Sequence, residues 1–518
     1  MTHFFTFIRE HTDKLLEQTL THVGLTFVSL LGALLIGVPL GILISRRKRL
    51  ASSVLGVAGV LQTVPSVALL GFLIPWLGIG IGPALVALFL YALLPIIRNT
   101  YVGITEVSPA VKEAARGVGM TDSQILTKVE LPLALPVLFA GIRTATVINV
   151  GVATLAAYVA AGGLGEFIFS GIALSNVPMM LAGAIPAALL AVGFDFGLAR
   201  LQRLSVQKLR VGALVFVALV PFLSAFYLLP RGHDKLMAGF AHEFYGRADG
   251  YPGLQKTYGL SVRPRLLDQN LMYEAIHRKQ VDIISGYSTD GRIKAYDLAV
   301  LADNQHAFPP YDAAPVVRQA TLDRYPELVP ALNLLAGKLT DSVMTELNYR
   351  ADYLHQSPER TATDFLKHVN LYQVPKPGDR LQTVVMGSKV FTEQYILAEI
   401  YRQLIEGKTQ LRMVTKTGLG GTQICFDALR TGAIDFYPEY TGTGLLVILQ
   451  PSATTLQHLP MQPDSVYSFV RQQFAASYQL AWLKPLGFNN SYCLMMRREQ
   501  AQQLGIRSIG NLVQYLAK

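Results

Sequence analysis

Along the first 230 residues the apolar positions follow neither a strand period nor an amphipathic helical one; they run together. Six such runs, at residues 23–45, 54–77, 81–99, 133–160, 177–198 and 211–229, are each about long enough to cross a bilayer as a helix, which takes roughly 20 residues. The runs contain Gly and Pro (GALLIGVPLG, TVPSVALLGF, LAGAIPAALL), which would break helices in water but are tolerated in packed membrane bundles. Beyond Pro230 no comparable run recurs, and the pattern changes to short apolar strands alternating with periodic helices. VDIISGY (281–287), LQTVVMG (381–387), LRMVTKT (411–417), AIDFYPEY (433–440) and SYCLMM (491–496) are strand candidates. PELVPALNLLAGKL (326–339), FTEQYILAEIYRQLIEG (391–407) and TQICFDALRTG (422–432) are helical by period. This alternation predicts an α/β domain of parallel sheets flanked by helices, placed after an all-α transmembrane domain of about six spans.

Composition agrees with that division. Only 15% of the 518 residues are charged and the mean hydropathy is +0.34, too apolar for a wholly soluble protein. The formal net charge of +10 does not point to nucleic acid, because membrane proteins collect basic residues on their cytoplasmic loops. Arg46, Arg47, Lys48 and Arg49 end the first span, and Arg200, Arg203, Lys208 and Arg210 lie between the fifth and sixth, which puts both loops in the cytoplasm. Counting spans then places the 100–132 loop in the cytoplasm and everything after Leu229 outside. Residues 1–23 make a poor signal peptide, since Glu10, Asp13, Lys14 and Glu17 interrupt any apolar core. The run at 211–229 lacks a convincing cleavage site and reads as an uncleaved anchor. The two cysteines, Cys425 and Cys493, have no metal-ligand spacing; they read as core residues, with a bridge between them neither implied nor excluded.

The long cytoplasmic loop carries EAARGVGMTDSQILTKVELP (113–132), in which Glu113-Ala114-Ala115 is followed after three residues by Gly119 and after nine more by Val129-Glu130-Leu131-Pro132. Small side chains permit close approach, and a Gly permits a turn that a Cβ would hinder. This spacing resembles the EAA loop of the permease subunits of bacterial ABC importers. The resemblance implies that a short helix, a Gly turn and a second helix sit in a cleft of a separate ATPase, with Glu113, Ala114, Ala115 and Gly119 as coupling residues. The chain itself encodes no ATPase: Gly407-Lys408-Thr409 has Arg402 where a P-loop needs its first Gly, and GLGGTQ (418–423) fails as a dinucleotide fingerprint. No catalytic constellation recurs at a diagnostic spacing either, and acids such as Glu243, Asp290 and Glu439 read as hinge or cap hydrogen bonders. Arg143 and Asp195, within or near spans, are candidates to pair inside the bundle. A ligand-sensing membrane receptor is the competing class, but no signalling output follows any span.

The soluble part resembles the binding proteins of osmoprotectant importers, the glycine betaine, choline and carnitine uptake group. The resemblance rests on GSKVFTEQ (387–394), GLGGTQICFDALRTGAIDFYPEYTGTG (418–444), WLKPLGFNNSY (482–492), EFYGRADGYPGLQKTYGL (243–260), GYSTDGRIKAYDLAVLADN (286–304) and FPPYDAAP (308–315). The order of these blocks differs from the family's, in which GSKVFTEQ opens the domain and EFYGRADGYPGL follows the LGFNN block. The domain is therefore expected to be circularly permuted, its old ends joined near 372–381, a Pro/Gly-rich stretch suited to a bridging loop. The expected organisation is a permease domain at 1–210, an anchor and tether at 211–234 and a two-lobed, periplasmic-binding-protein-like domain at 235–518, in a bacterial inner membrane. One lobe is expected to take about 290–481 and the other 235–288 with 482–518.

A quaternary ammonium group carries no hydrogen-bond donor, so its capture relies on aromatic faces, each contributing about 0.5–2 kcal/mol. The family's four cage tyrosines map by resemblance onto Tyr287, Tyr311, Tyr440 and Tyr492, and its carboxylate-binding positions onto Lys389, Thr443 and Arg247. On this reading choline would leave the two cations without a partner, which ranks glycine betaine or a related betaine above choline; a choline or carnitine importer of the same type is the alternative. The resemblance further implies a homodimer, two ATPase subunits that use ATP and Mg, and no cofactor or metal bound by this chain.

Overall fold

The computed structural model describes residues 2–174, 176–202, 235–375 and 382–517. The apolar run at 211–229, the tether after it and positions 376–381 of the expected bridging loop lie outside the described residues. The chain divides into two compact units, the second of which opens at Lys235.

In the first unit the helix Thr12–Arg46 begins well before its apolar run, because Asp13, Lys14 and Glu17 are accommodated in its opening turns. It packs against Ile81–Thr105, which in turn packs against Leu131–Ala153. These contacts need small residues: a Cβ on Gly41 would come within 2.6 Å of Thr100, and one on Gly141 within 2.7 Å of the Pro95 carbonyl. The expected single span at 54–77 is instead two helices, Lys48–Thr63 and Ser66–Leu77, bent by 97°. Pro65 causes the break, since it removes an N–H and forces Val64 into an extended conformation. The Tyr91 hydroxyl donates to the Val64 carbonyl freed there, as an apolar setting demands. The pair foreseen between Arg143 and Asp195 forms, with two hydrogen bonds of 2.8 Å joining Leu131–Ala153 to Val177–Leu201.

Beyond Lys235 the chain forms two five-stranded sheets, all of whose strands except Arg265–Leu267 fall in the second unit. The first has the order β2-β1-β3-β10-β4, built from β1 (Ala238–Ala241), β2 (Arg265–Leu267), β3 (Ile283–Tyr287), β4 (Leu298–Val300) and β10 (Tyr492–Arg497). The second has the order β7-β6-β8-β5-β9, built from β5 (Ala313–Arg318), β6 (Thr383–Lys389), β7 (Arg412–Gly420), β8 (Phe436–Tyr440) and β9 (Leu480–Trp482). The sheets are mixed and not purely parallel. β10 runs antiparallel to β3 and β4, and β5 antiparallel to β8 and β9. Both are strands the chain enters directly from the other sheet, without the helical crossover that keeps neighbours parallel. The second sheet packs Ala314, Val316, Tyr437 and Trp482 against Phe426, Val470 and Phe474 on its flanking helices, giving that lobe its own core. Both cysteines are free and buried, Cys425 on a helix and Cys493 in β10.

Candidate functional site

Two chain segments cross between the sheets, at 301–312 and 483–491, and they meet as an isolated antiparallel bridge between Asp312 and Asn489. The Tyr311 amide donates to Asn489 Oδ1 (2.8 Å), and the Asn490 amide donates to the Tyr311 carbonyl (3.1 Å). The lobe boundaries read from the sequence therefore shift. β4 pairs with β10, so residues 290–300 belong with the first sheet, while β9 pairs with β5 and keeps Trp482 with the second.

The strand register delivers the aromatic residues to this crossing. Tyr492 and Tyr287 are direct cross-strand partners, so their rings stack with centroids 5.2 Å apart. Tyr311 meets Tyr492 edge-on at 5.9 Å. Tyr440, at the end of β8, makes no direct ring contact with these three among the described residues. It is linked to them by Phe391, whose centroid lies 6.4 Å from Tyr440 and 6.3 Å from Tyr287, nearly parallel to the latter ring. Phe391 is a fifth ring that sequence reasoning passed over, although it sits inside the quoted GSKVFTEQ block. Tyr311, Tyr440 and Tyr492 are buried and Tyr287 is half-buried; burial above all pushes all four phenols upward, so the rings are neutral at ordinary pH. Gly442 is required for close approach, because a Cβ there would stand 2.6 Å from the Tyr311 ring. Thr443 follows it, buried at the end of the short turn Thr441–Thr443.

The two cations expected to await a ligand carboxylate are not free. Lys389 Nζ donates to Glu439 Oε1 at 2.6 Å, with both side chains buried. Arg247 donates through Nε and Nη2 to Asp249 (2.8 and 2.5 Å) and through Nη1 to Glu243 (2.9 Å). The expectation that choline would leave these charges unpartnered is thereby corrected, since protein carboxylates already neutralise them. Each cation also lies near one of these rings, Arg247 Cζ 5.3 Å from the Tyr492 centroid and Lys389 Nζ 5.1 Å from that of Tyr440. The Tyr311 hydroxyl donates to the same Asp249 carboxylate that holds Arg247.

Beneath Tyr440 lies another buried acid. Glu393 accepts from the Tyr440 hydroxyl (2.6 Å), Asn490 (2.9 Å), Thr289 (2.7 Å) and Asn348 (3.0 Å). Burial raises its carboxyl above the usual range even though all four donors favour the ionised form. These partners come from the second lobe, from the 483–491 crossing and from the residues after β3, so Glu393 fixes Tyr440 relative to the crossing.

In the first unit the 113–132 motif folds as a helix Pro109–Gly117, a turn in which Gly119 has φ +82°, and a second helix from Asp122. Thr121 and Gln124 form a capping box at the second start (3.3 and 2.9 Å). Pro109 opens the first helix, so Glu113-Ala114-Ala115 occupy its later turns and do not begin it. Glu113 and Ala114 are exposed and Ala115 is buried. Glu130, at the far end of the motif, is fully buried and accepts from Arg46 Nη1 (3.1 Å), with Lys112 Nζ 3.5 Å away. That cluster puts the C-terminal end of Thr12–Arg46 and the motif at the same end of the bundle, where the distribution of basic residues had placed both.

A family model described as the substrate binding domain of an ABC-type glycine betaine transport system matches residues 229–368 and 382–517. A second, described as the inner membrane component of binding-protein-dependent transport systems, matches residues 33–211. A carnitine transport permease protein of Listeria monocytogenes is 45% identical over 206 residues, covering 40% of this chain and 94% of the relative. A choline transport system permease protein of Bacillus subtilis is 42% identical over 203 residues, covering 39% and 94%. Among solved structures, an inward-facing conformation of the MetNI methionine ABC transporter covers 36% of this chain and 95% of its own, at 27% identity and a TM-score of 0.34. The first family model matches in two stretches, yet β10 from the second stretch lies inside the first sheet and β5 from the first stretch lies inside the second. The two stretches are thus halves of one domain.

Proposed function

We propose, from the premise that this chain belongs to the osmoprotectant ABC importer family as a fused permease and substrate-binding protein, that it imports a quaternary ammonium solute of the betaine type at the expense of ATP hydrolysed by a separate polypeptide. The observation that carries this reading is the convergence of neutral aromatic rings from β3, β8, β10 and the 301–312 crossing, with Arg247 and Lys389 beside them. Such a box attracts a cation that offers no hydrogen bond. The circularly permuted domain binds its ligand on the extracytoplasmic side, its lobes closing about the two crossings as a hinge. Two copies of the chain form the pore, and two ATPase subunits, using ATP and Mg, engage the loop containing Glu113, Ala114, Ala115 and Gly119. A choline-type ligand is the second reading, favoured by the acids that already partner both cations.

The test is calorimetry on the full chain in lipid nanodiscs with glycine betaine, proline betaine, carnitine and choline, repeated with Tyr311→Ala. Binding of at least one of these quaternary ammonium solutes is expected, weakened about tenfold or more by loss of the ring. A chain indifferent to all four would overturn the proposal.

A further inference from the structure

Asp249 stands where two requirements of the cage collide. Its side chain is 3% exposed, it takes the Nε/Nη2 edge of Arg247, and it accepts the Tyr311 hydroxyl. That edge is the planar fork a ligand carboxylate would need for two-point contact. To use it, a betaine must displace Asp249 and leave a buried acid without its counter-ion, an unfavourable arrangement. A cation without a carboxylate leaves the pair intact. The charges point the same way: Arg247 and Lys389 are paired with three acids, Glu243, Asp249 and Glu439, so this ion-pair set carries one excess negative charge.

Resting on the quaternary ammonium reading above, we propose that Asp249 is the residue that sets the preference between carboxylate-bearing and carboxylate-free quaternary ammonium ligands. It does so by competing with the ligand for Arg247. Asp249→Asn isolates this role, because the amide oxygen still accepts from Tyr311 while the ionic hold on Arg247 and the excess charge are removed.

The experiment measures dissociation constants of glycine betaine and choline for the full chain in nanodiscs, in the wild type, Asp249→Asn, Glu243→Gln and Tyr311→Phe. The ratio of the choline constant to the betaine constant is expected to rise about tenfold or more in Asp249→Asn, as betaine gains and choline loses. Glu243→Gln should move it the same way but less, since Glu243 is 37% exposed and holds only Nη1. Tyr311→Phe removes the hydroxyl without changing charge and should leave the ratio unmoved. A wild type that binds both ligands, with a ratio unchanged in Asp249→Asn, would overturn the inference while sparing the importer reading. A shift reproduced by Tyr311→Phe would overturn it too, by assigning the effect to ring placement. Should Asp249→Asn fail to fold, an unmoved ratio in Glu243→Gln decides against it. A wild type that binds neither solute would instead remove the reading on which the inference rests.

Discussion

Replacing Lys389 by Met tests whether that lysine is a free ligand-binding charge or one half of a buried pair. The Lys389–Glu439 separation of 2.6 Å gives, at an effective dielectric constant of about 20, roughly 6 kcal/mol of gross attraction, most of it offset by taking both ions out of water. Removing one partner forfeits the attraction and leaves the other charge buried, which typically costs about 3–5 kcal/mol. Glu439 is fully buried but keeps hydrogen bonds from the Tyr440 amide (2.7 Å) and the Tyr437 hydroxyl (3.0 Å). The expected loss for Lys389→Met therefore lies near the lower end, at about 3 kcal/mol. Adding Glu439→Gln removes the stranded charge while its amide oxygen accepts from the Tyr440 N–H and its NH2 can donate to the Tyr437 oxygen, and should return about 2 kcal/mol of it. The chain has two tryptophans: Trp76 is 85% exposed in the first unit and Trp482 is 2% exposed in the core of the second sheet. In a Trp76→Phe background, urea unfolding followed by fluorescence thus reads the lobe that contains the pair. A single variant within about 0.5 kcal/mol of its parent, the range of an ordinary surface substitution, would show Lys389 to be a solvated charge. A double variant no more stable than the single one would refute the stranded-charge argument.

Asp312, on the crossing, has its carboxyl raised to about 6 by burial first and then by the charges of Asp341 and Asp464. A raised acid is disfavoured when ionised in the fold, so stability from this group is greatest below the unfolded value of about 3.9 and is lost as pH climbs to about 6. Asp312→Asn should then stabilise the Trp482 transition by about 1 kcal/mol at pH 7.5, after discounting for partial exposure, and by nothing at pH 4. An equal gain at both pH values would assign the effect to something other than ionisation. Gly442→Ala should cost about 1–3 kcal/mol and weaken glycine betaine and choline in parallel, because the added methyl meets the Tyr311 ring at 2.6 Å; calorimetry that finds wild-type affinities would show that the ring has room to move. A maleimide should leave both cysteines unlabelled in the native chain and label both in denaturant, since burial pushes the Cys425 thiol up to about 11 and raises Cys493 as well.

The elements legible in the sequence were those whose own residues decide them. VDIISGY, LQTVVMG and SYCLMM became β3, β6 and β10 because β-branched and apolar side chains fill a strand buried on both faces. FTEQYILAEIYRQLIEG became the helix Thr392–Lys408 on its period alone. β5 was illegible because AAPVVR carries Pro315, which argues against an interior strand. In the sheet Pro315 lies opposite Pro438 of β8, and each carbonyl finds its donor elsewhere, Pro315 from the Leu483 amide (3.0 Å) and Pro438 from Gln394 (3.1 Å). β1, β4 and β9 are three or four residues long and are stabilised by their neighbours, which no local pattern reveals.

The same distinction runs through the site. The tyrosines could be named because each sits in a recognisable block, but what surrounds them depended on how near the partners lie in sequence. Glu243 and Asp249 flank Arg247 by four and two residues, so their claim on its guanidinium was readable in EFYGRADG. Glu439 stands fifty residues from Lys389 and reaches it only because β6 and β8 are neighbours in one sheet. Phe391 bridges Tyr440 and Tyr287 only once both lobes are in place.

The chain rearrangement proposed for this domain would leave the site intact for a physical reason. The described segments on either side of the expected join lie together: the helix Pro358–His368 packs along Thr392–Lys408, and Thr363 hydrogen-bonds Gln403 at 2.9 Å. The two segments being joined are thus already side by side, so closing the loop between them costs little entropy. Gln373 continues the contact, its carbonyl so close to Gly407 that a Cβ there would stand at 2.6 Å. The domain's first described residue, Lys235, and its last helix, Ile509–Ala517, both belong with the first sheet: β1 follows the one, and Ser508 bridges Ala302 just before the other. Neither the new ends nor the join falls on 301–312 or 483–491. Both crossing segments remain continuous chain, and the bridge between Asp312 and Asn489 that aims Tyr311 at Tyr492 would survive whichever peptide bond begins the domain.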